Sequence, residues 1–141
     1  MKLAEFVDEL SDLDEHEKLE FLVELADELP PLSPERGTAP LPPSCRVQEC
    51  QTAVYLWVDV NEGRLHVEAD VPRNSPTVRG LVTLVVQGLE GASPMEVLQL
   101  PEDLLPRLGL QAALGMTRQQ GLRGVMARIQ REIRRLTSVP Q

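Results

Sequence analysis

The chain contains few cysteines, histidines and aromatic side chains. Its 141 residues include two cysteines and two histidines, and only 3% of them are aromatic. Two cysteines are too few for a disulfide scaffold. Nor do they supply the four converging ligands of a zinc site or the three or more ligands of an iron–sulfur cluster. Because aromatic residues are scarce, leucine and valine must form most of the core.

A net positive charge, long apolar runs and nucleotide motifs are also lacking. The net charge of -8 argues against nucleic acid as the main partner, because binding to phosphates requires clustered lysine and arginine. No apolar run approaches the length of about 20 residues that spans a membrane. No phosphate-binding glycine motif and no signal segment is present. We therefore expect one domain over residues 1–141, in a reducing, cytoplasmic setting.

Charge is distributed unevenly along the chain. Residues 1–29 hold eleven acidic side chains and two lysines, whereas residues 118–141 hold six arginines and one glutamate. The two ends are either solvated helix faces that attract each other, or one of them steers a protein partner.

The N-terminal part of the chain predicts two helices and an irregular connection. Helical spacing of apolar residues indicates a short helix over 2–10 and a longer one, capped by Asp12 or Asp14, that runs to about Leu29. Six of the fifteen residues from 30 to 44 are proline, which predicts an extended connection on the surface.

Alternating apolar residues from Val54 to Val60 and from Leu65 to Ala69, separated by the turn 61–63, predict an antiparallel hairpin. A third strand around residues 45–47 is left open. Four helical segments follow: one opened by Ser75 as N-cap, one with a capping box at Ser93, one over Pro101–Leu108, and a C-terminal one capped at Thr117 with an apolar stripe to Leu136. This order predicts an α+β fold with helices on one face of a small antiparallel sheet.

Cys50 lies in a polar loop immediately before the first strand. Reactive side chains are often carried on loops that a rigid element holds in place, so Cys50 is a candidate nucleophile or sulfur carrier. It could equally be a small buried hydrophobe that caps the sheet. Neither His16 nor His66 is placed to serve as its base. The remaining chemistry is sulfur exchange by a thiol that acts alone.

Several segments, in order and spacing, resemble the SufE family of sulfur acceptors that work with cysteine desulfurases in iron–sulfur cluster assembly. They are KLEFLVEL (18–25), LPPL (29–32), VxxCQTAVY (47–55), VRGL (78–81), SPMEVL (93–98), LGL (108–110) and RQQGL (118–122). The resemblance extends over about residues 18–133 and implies a SufE/IscU-like fold.

The resemblance implies that Cys50 accepts sulfur as a persulfide. It also implies that Gln51 shapes the loop and that Arg118 lies near it, where a guanidinium favours the thiolate by lowering the thiol pKa. Arg46 or Arg118 would have to compensate for the like charge that Glu49 sets beside the thiolate. The chain departs from the family at Glu49, where a glycine is usual, and at Asn74; both positions are candidates for partner docking. We expect the thiol to be shielded at rest, because an exposed thiolate is readily oxidised. Cys45 has no assigned role.

The partners implied by the resemblance are a SufS-like cysteine desulfurase and a SufBCD-like scaffold, with the free protein either a monomer or a homodimer. No bound cofactor or metal is expected, since pyridoxal phosphate (PLP) would belong to the partner desulfurase. No independent catalytic turnover is expected either. The alternative function is a non-catalytic docking module of the desulfurase or scaffold complex, in which Cys50 is inert.

Overall fold

The computed structural model describes residues 1–137. In chain order its elements are α1 (Leu3–Ser11), α2 (Glu15–Leu25), β1 (Tyr55–Asn61), β2 (Arg64–Asp70), α3 (Pro76–Leu89), α4 (Pro94–Leu98), α5 (Leu105–Leu108) and α6 (Met116–Thr137), with single 3-10 turns at Ala26–Glu28 and Pro43–Cys45. The predicted α+β class is confirmed.

β1 and β2 form an antiparallel hairpin, as the alternation predicted. Leu56 pairs with Ala69 and Val58 with Val67, so these side chains share the buried face. The turn between the strands places Glu62 and Gly63 at φ 53° and 73°, a left-handed pair that suits the right-handed twist of a hairpin.

Two long helices cover the buried face of the hairpin. α3 packs against β2, and α6 packs against β1. α3 is buried over most of its circumference, because α1 and α2 pack on its other sides. The closest approach is at Gly80, where a side chain would collide with the Leu22 carbonyl of α2. The core is built largely of leucine and valine, as the scarcity of aromatics requires.

Several local predictions need correction. Ser75 is the N-cap of α3, as predicted, but its side chain makes no capping hydrogen bond. α6 begins at Met116, so Thr117 lies inside the first turn and not at the N-cap. Only Leu105–Leu108 of the predicted segment 101–108 is an α-helix. Leu136, which we placed in the apolar stripe, is exposed. The open third strand is reduced to one bridge between Arg46 and Tyr55.

The other helix starts are confirmed. Asp14 accepts a hydrogen bond from the Glu17 amide, and the Glu17 side chain accepts one from the Asp14 amide. Ser93 and Glu96 form the same reciprocal pair at α4. Each pair satisfies two backbone donors that the first turn of a helix leaves unpaired.

Candidate functional site

The loop that carries Cys50 is tied to the edge of β1. The Val47 amide donates to the Val54 carbonyl at 2.9 Å, next to the bridge between Arg46 and Tyr55. Within the loop the Cys50 amide donates to the Val47 carbonyl at 3.2 Å. The loop therefore leaves and rejoins the scaffold at adjacent points.

A long-range contact from α6 supports the base of the same loop. The guanidinium of Arg128 donates to the backbone carbonyls of Ser44 and Arg46. Arg128 thus fixes the chain just before the loop to the helix that runs beneath it.

The thiol of Cys50 is turned inward. The residue is 7% exposed, and its Sγ donates to the Gly121 carbonyl of α6 at 3.5 Å. The expected shielding at rest is confirmed. Burial also favours the alternative in which Cys50 is a structural residue.

Burial and charge both favour the protonated thiol. Desolvation, with the nearby charge of Glu49, raises the pKa of Cys50 to about 11, and the charge of Arg46 opposes this rise. The prediction that Arg118 lowers the pKa of Cys50 is therefore wrong for this conformation. The physical reason is that the loss of water around the sulfur outweighs the neighbouring cations.

Two glycines of α6 leave room for the loop. A side chain at position 121 would place its Cβ 3.1 Å from the Cys50 sulfur, and one at position 124 would lie 2.5 Å from Cβ of Glu49. Neither glycine was predicted as a site residue. Glycines in a long helix cost stability relative to alanine, and two within four residues are the sequence signal that another segment packs there.

A cavity of about 520 Å³ opens beside the thiol. Four of the predicted site residues line it, namely Cys50, Gln51, Asn74 and Arg118. The rest of its wall is formed by the N-terminal parts of α3 and α6 and by Thr52 of the loop. Arg46 and Glu49 are not among the lining residues and act on the thiol through their charge.

Among residues 1–137, none that lines this cavity is acidic, although the chain as a whole is strongly acidic. The lining is apolar at Leu81, Val82 and Leu122, and it carries hydroxyl groups and one guanidinium, that of Arg118. Histidine is absent from it as well, so no imidazole stands ready to deprotonate Cys50 within the residues described. His16 pairs instead with Glu20, and His66 with Glu90.

The outer face of the hairpin carries a separate charged cluster. Arg36, from the proline-rich connection, binds both oxygens of Asp59 at 2.7 and 2.8 Å and one oxygen of Glu68 at 2.7 Å. Its hydrogen bonds and charge hold the pKa of Asp59 below its usual value. Burial acts to raise the pKa of Glu68, but the Ser33 amide and Arg36 outweigh it and lower that pKa.

Asp59, His66 and Glu68 bring ligand atoms within 4.8 Å of one another and could hold a metal ion. Arg36 already supplies the positive charge between the two carboxylates. This arrangement fits a role in fastening the connection to the sheet.

Cys45 lies in the 3-10 turn before the loop and is half-buried. Among residues 1–137, no helix is both long enough and apolar enough to cross a membrane.

Comparisons with known proteins agree on one family. The SufE family, described as an Fe-S metabolism associated domain, matches residues 4–133. An uncharacterized SufE-like protein of Mycobacterium tuberculosis is 36% identical over 135 residues, which cover 94% of this chain and 91% of that protein. An uncharacterized SufE-like protein of Synechocystis is 33% identical over 85 residues, covering 60% and 52% of the two chains.

A solved structure has the same fold. The solution structure of a hypothetical protein from Thermus thermophilus superposes with a TM-score of 0.82, at 31% sequence identity, over 97% of this chain and 96% of that one. Together with the family match, this similarity confirms the resemblance drawn from the sequence. The chain therefore belongs to the SufE family, and this membership supports a role in sulfur transfer for iron–sulfur metabolism.

Proposed function

We propose that the protein accepts sulfur on Cys50 from a cysteine desulfurase and passes it to an iron–sulfur scaffold. The Cys50 thiolate attacks the outer sulfur of a persulfide on the desulfurase. A new sulfur–sulfur bond forms on Cys50, the bond within the donor persulfide breaks, and the donor cysteine leaves as a thiolate that takes up a proton. A second exchange of the same kind delivers the sulfur to the acceptor.

The position of Cys50 carries this proposal. Its thiol lies on a short loop at the wall of an open cavity, anchored on both sides but without a base or a metal group beside it in residues 1–137. Such a site suits exchange with sulfur on another molecule, which requires a thiolate and access to a partner. PLP belongs to the desulfurase in this scheme, and the cytoplasmic setting remains a prediction.

The raised pKa of Cys50 implies that the desulfurase must also activate the thiol. At neutral pH a thiol with a pKa of about 11 is almost entirely protonated, so the free protein is a poor nucleophile. Docking would have to bring the sulfur out of its buried position, where water and partner charges can stabilise the thiolate. A thiol that is inactive until docked would also be protected from oxidation.

Mass spectrometry tests the proposal. After incubation with a desulfurase and cysteine, we expect Cys50 to gain the mass of one sulfur atom. The Cys45→Ser variant, matched in chemistry and five residues away, should gain it equally, whereas Cys50→Ser should neither gain sulfur nor stimulate the desulfurase. Full stimulation by Cys50→Ser would refute the proposal.

The docking module is the second candidate, and the burial of Cys50 is the observation that favours it. In that case the desulfurase would bind the protein, and Cys50 would remain unmodified. The affinity of Cys50→Ser for the desulfurase, measured alongside the mass shift, separates the two functions. Retained binding without any sulfur on wild-type Cys50 would favour the docking module.

A further inference from the structure

The side chain of Glu49 lies flat on α6 at Gly124. A Cβ at position 124 would be 2.5 Å from Cβ of Glu49 and 2.9 Å from both its Cγ and its Cδ. These distances are far below van der Waals contact, and the shortest of them involves Cβ, the side-chain carbon nearest the backbone of Glu49. The loop can take its position only because residue 124 has no side chain.

The neighbouring residue makes the matching contact one turn earlier. Cys50 lies over Gly121, where a Cβ would be 3.1 Å from its sulfur, and its thiol donates to the Gly121 carbonyl. Glu49 and Cys50 therefore rest on two glycines spaced three residues apart on one face of α6. We call these two glycines the loop seat.

Glu49 is an exposed residue, and its carboxylate makes no ion pair within residues 1–137. Its charge opposes ionisation of the adjacent thiol. A cation that approached this carboxylate from a partner would therefore both satisfy an unpaired charge and remove a repulsion from Cys50.

We propose that Glu49 is a specificity-determining residue that restrains Cys50: seated on Gly124, it keeps the thiol against Gly121 until a cationic side chain of the desulfurase engages its carboxylate. The inference rests on the proposed function and names the partner chemistry that this site requires. Engagement lifts Glu49 from the loop seat, so the thiol loses its hydrogen bond to Gly121 and becomes accessible. A partner without a cation at this place would leave the thiol buried.

The restraint is measurable in the free protein. In a Cys45→Ser background, iodoacetamide should alkylate Cys50 about tenfold faster after Gly124→Ala, because a clash of this kind disfavours the seated loop. Glu49→Gly should also accelerate alkylation, since it removes the side chain that is seated. In the Glu49→Gly background, Gly124→Ala should then add nothing further.

Two results would overturn this part of the inference. One is an unchanged alkylation rate in Gly124→Ala, provided that circular dichroism shows a folded protein. The other is a Gly124→Ala effect that is equally large with and without Glu49. Glu49→Gly alone provides an independent test if Gly124→Ala fails to fold, because an unchanged rate in that variant would also overturn the restraint.

The cationic partner is tested by single-turnover sulfur transfer from a persulfidated desulfurase at increasing salt. The wild-type rate should fall more steeply with salt than that of Glu49→Gln, which keeps the packing but loses the charge. Glu102→Gln, which removes another exposed carboxylate, should behave like the wild type. Equal salt dependence in wild type and Glu49→Gln would refute the cationic contact. If no variant received sulfur at all, the proposed function would fail, while the alkylation results would still decide the restraint.

Discussion

The thiol of Cys50 donates a hydrogen bond to the backbone carbonyl of Gly121 at 3.5 Å. A carbonyl oxygen can only accept, so this contact requires the proton to remain on sulfur. The structure thus stabilises the unreactive form of the residue proposed to react.

The first prediction concerns the pH dependence of Cys50. Because its pKa in the folded protein is about 11, the rate of alkylation should rise through neutral and alkaline pH without levelling off before about pH 11. The urea-unfolded protein, in which burial is lost, should level off near the ordinary thiol pKa of about 8.5. The measurement is the pseudo-first-order rate with iodoacetamide in Cys45→Ser. A folded-state plateau near pH 8.5 would contradict the prediction.

The raised pKa of Cys50 also predicts that the stability of the fold depends on pH. Folding favours the protonated thiol, so this contribution is complete below the unfolded pKa and is lost as pH rises towards about 11. Between about pH 9 and 11, the free energy of unfolding should fall more in the wild type than in Cys50→Ser. Cys45→Ser should follow the wild type, since it keeps the buried thiol. Urea titrations across this range provide the comparison, and parallel curves for all three proteins would argue against it.

Arg46 and Arg118 should differ in their effect on the thiol. The charge of Arg46 lowers the pKa of Cys50, so Arg46→Gln should raise that pKa further and slow alkylation at pH 8 by about 2- to 5-fold. Arg118→Gln, at the wall of the cavity, should alter the rate in the free protein less. If Arg118→Gln slowed alkylation more than Arg46→Gln, then Arg118 would be the main cation acting on the thiol.

The contact of Arg36 with Asp59 and Glu68 should stabilise the fold. Arg36→Ala leaves two half-buried carboxylates without their cation and should cost about 2 to 3 kcal/mol of unfolding free energy. Arg135→Ala is the matched control, because its pair with Glu132 is more exposed, so its loss should destabilise the protein much less than Arg36→Ala does. Urea unfolding at neutral pH measures both variants. If both variants lost the same unfolding free energy, the partial burial of the Arg36 contacts would add nothing to stability.

Gly80 should tolerate no side chain. A Cβ there would lie 1.9 Å from the Leu22 carbonyl oxygen, and both atoms belong to packed helices, so Gly80→Ala should cost about 3 kcal/mol or more. Gly115→Ala, where no atom of the described part of the chain lies within 4 Å of the added carbon, should change stability by less than about 1 kcal/mol. Thermal unfolding of the two variants tests this. A near-native melting temperature for Gly80→Ala would show that α2 and α3 can separate at low cost.

Local patterns predicted the fold well, because the period of apolar residues and the chemistry of turns act over a few positions. The hairpin, the helix cap placed at Asp12 or Asp14 and found at Asp14, and the capping box at Ser93 are of this kind. Thr117 failed as a cap because its sequence pattern also suits the first turn of a helix that starts one residue earlier.

The site could be predicted only in part. Cys50 was identified by its place before a strand and by the resemblance, but its contacts come from residues far along the chain. Gly124 meets Glu49, and Arg36 meets Asp59, through tertiary packing that leaves no periodic trace in the sequence. The raised thiol pKa was missed for the same reason, since burial depends on the whole fold.

The tie between the Val47 amide and the Val54 carbonyl has a further consequence, which concerns distance. If this tie holds, Cys50 is three residues from the nearer fixed point, and a fully extended chain covers about 3.5 Å per residue. The sulfur can then travel only about 10 Å from the edge of the sheet. The donor and acceptor cysteines must therefore both come within that distance of the sheet edge. The protein would then have to dissociate from the donor and bind the acceptor, because the loop is too short to reach between two distant sites.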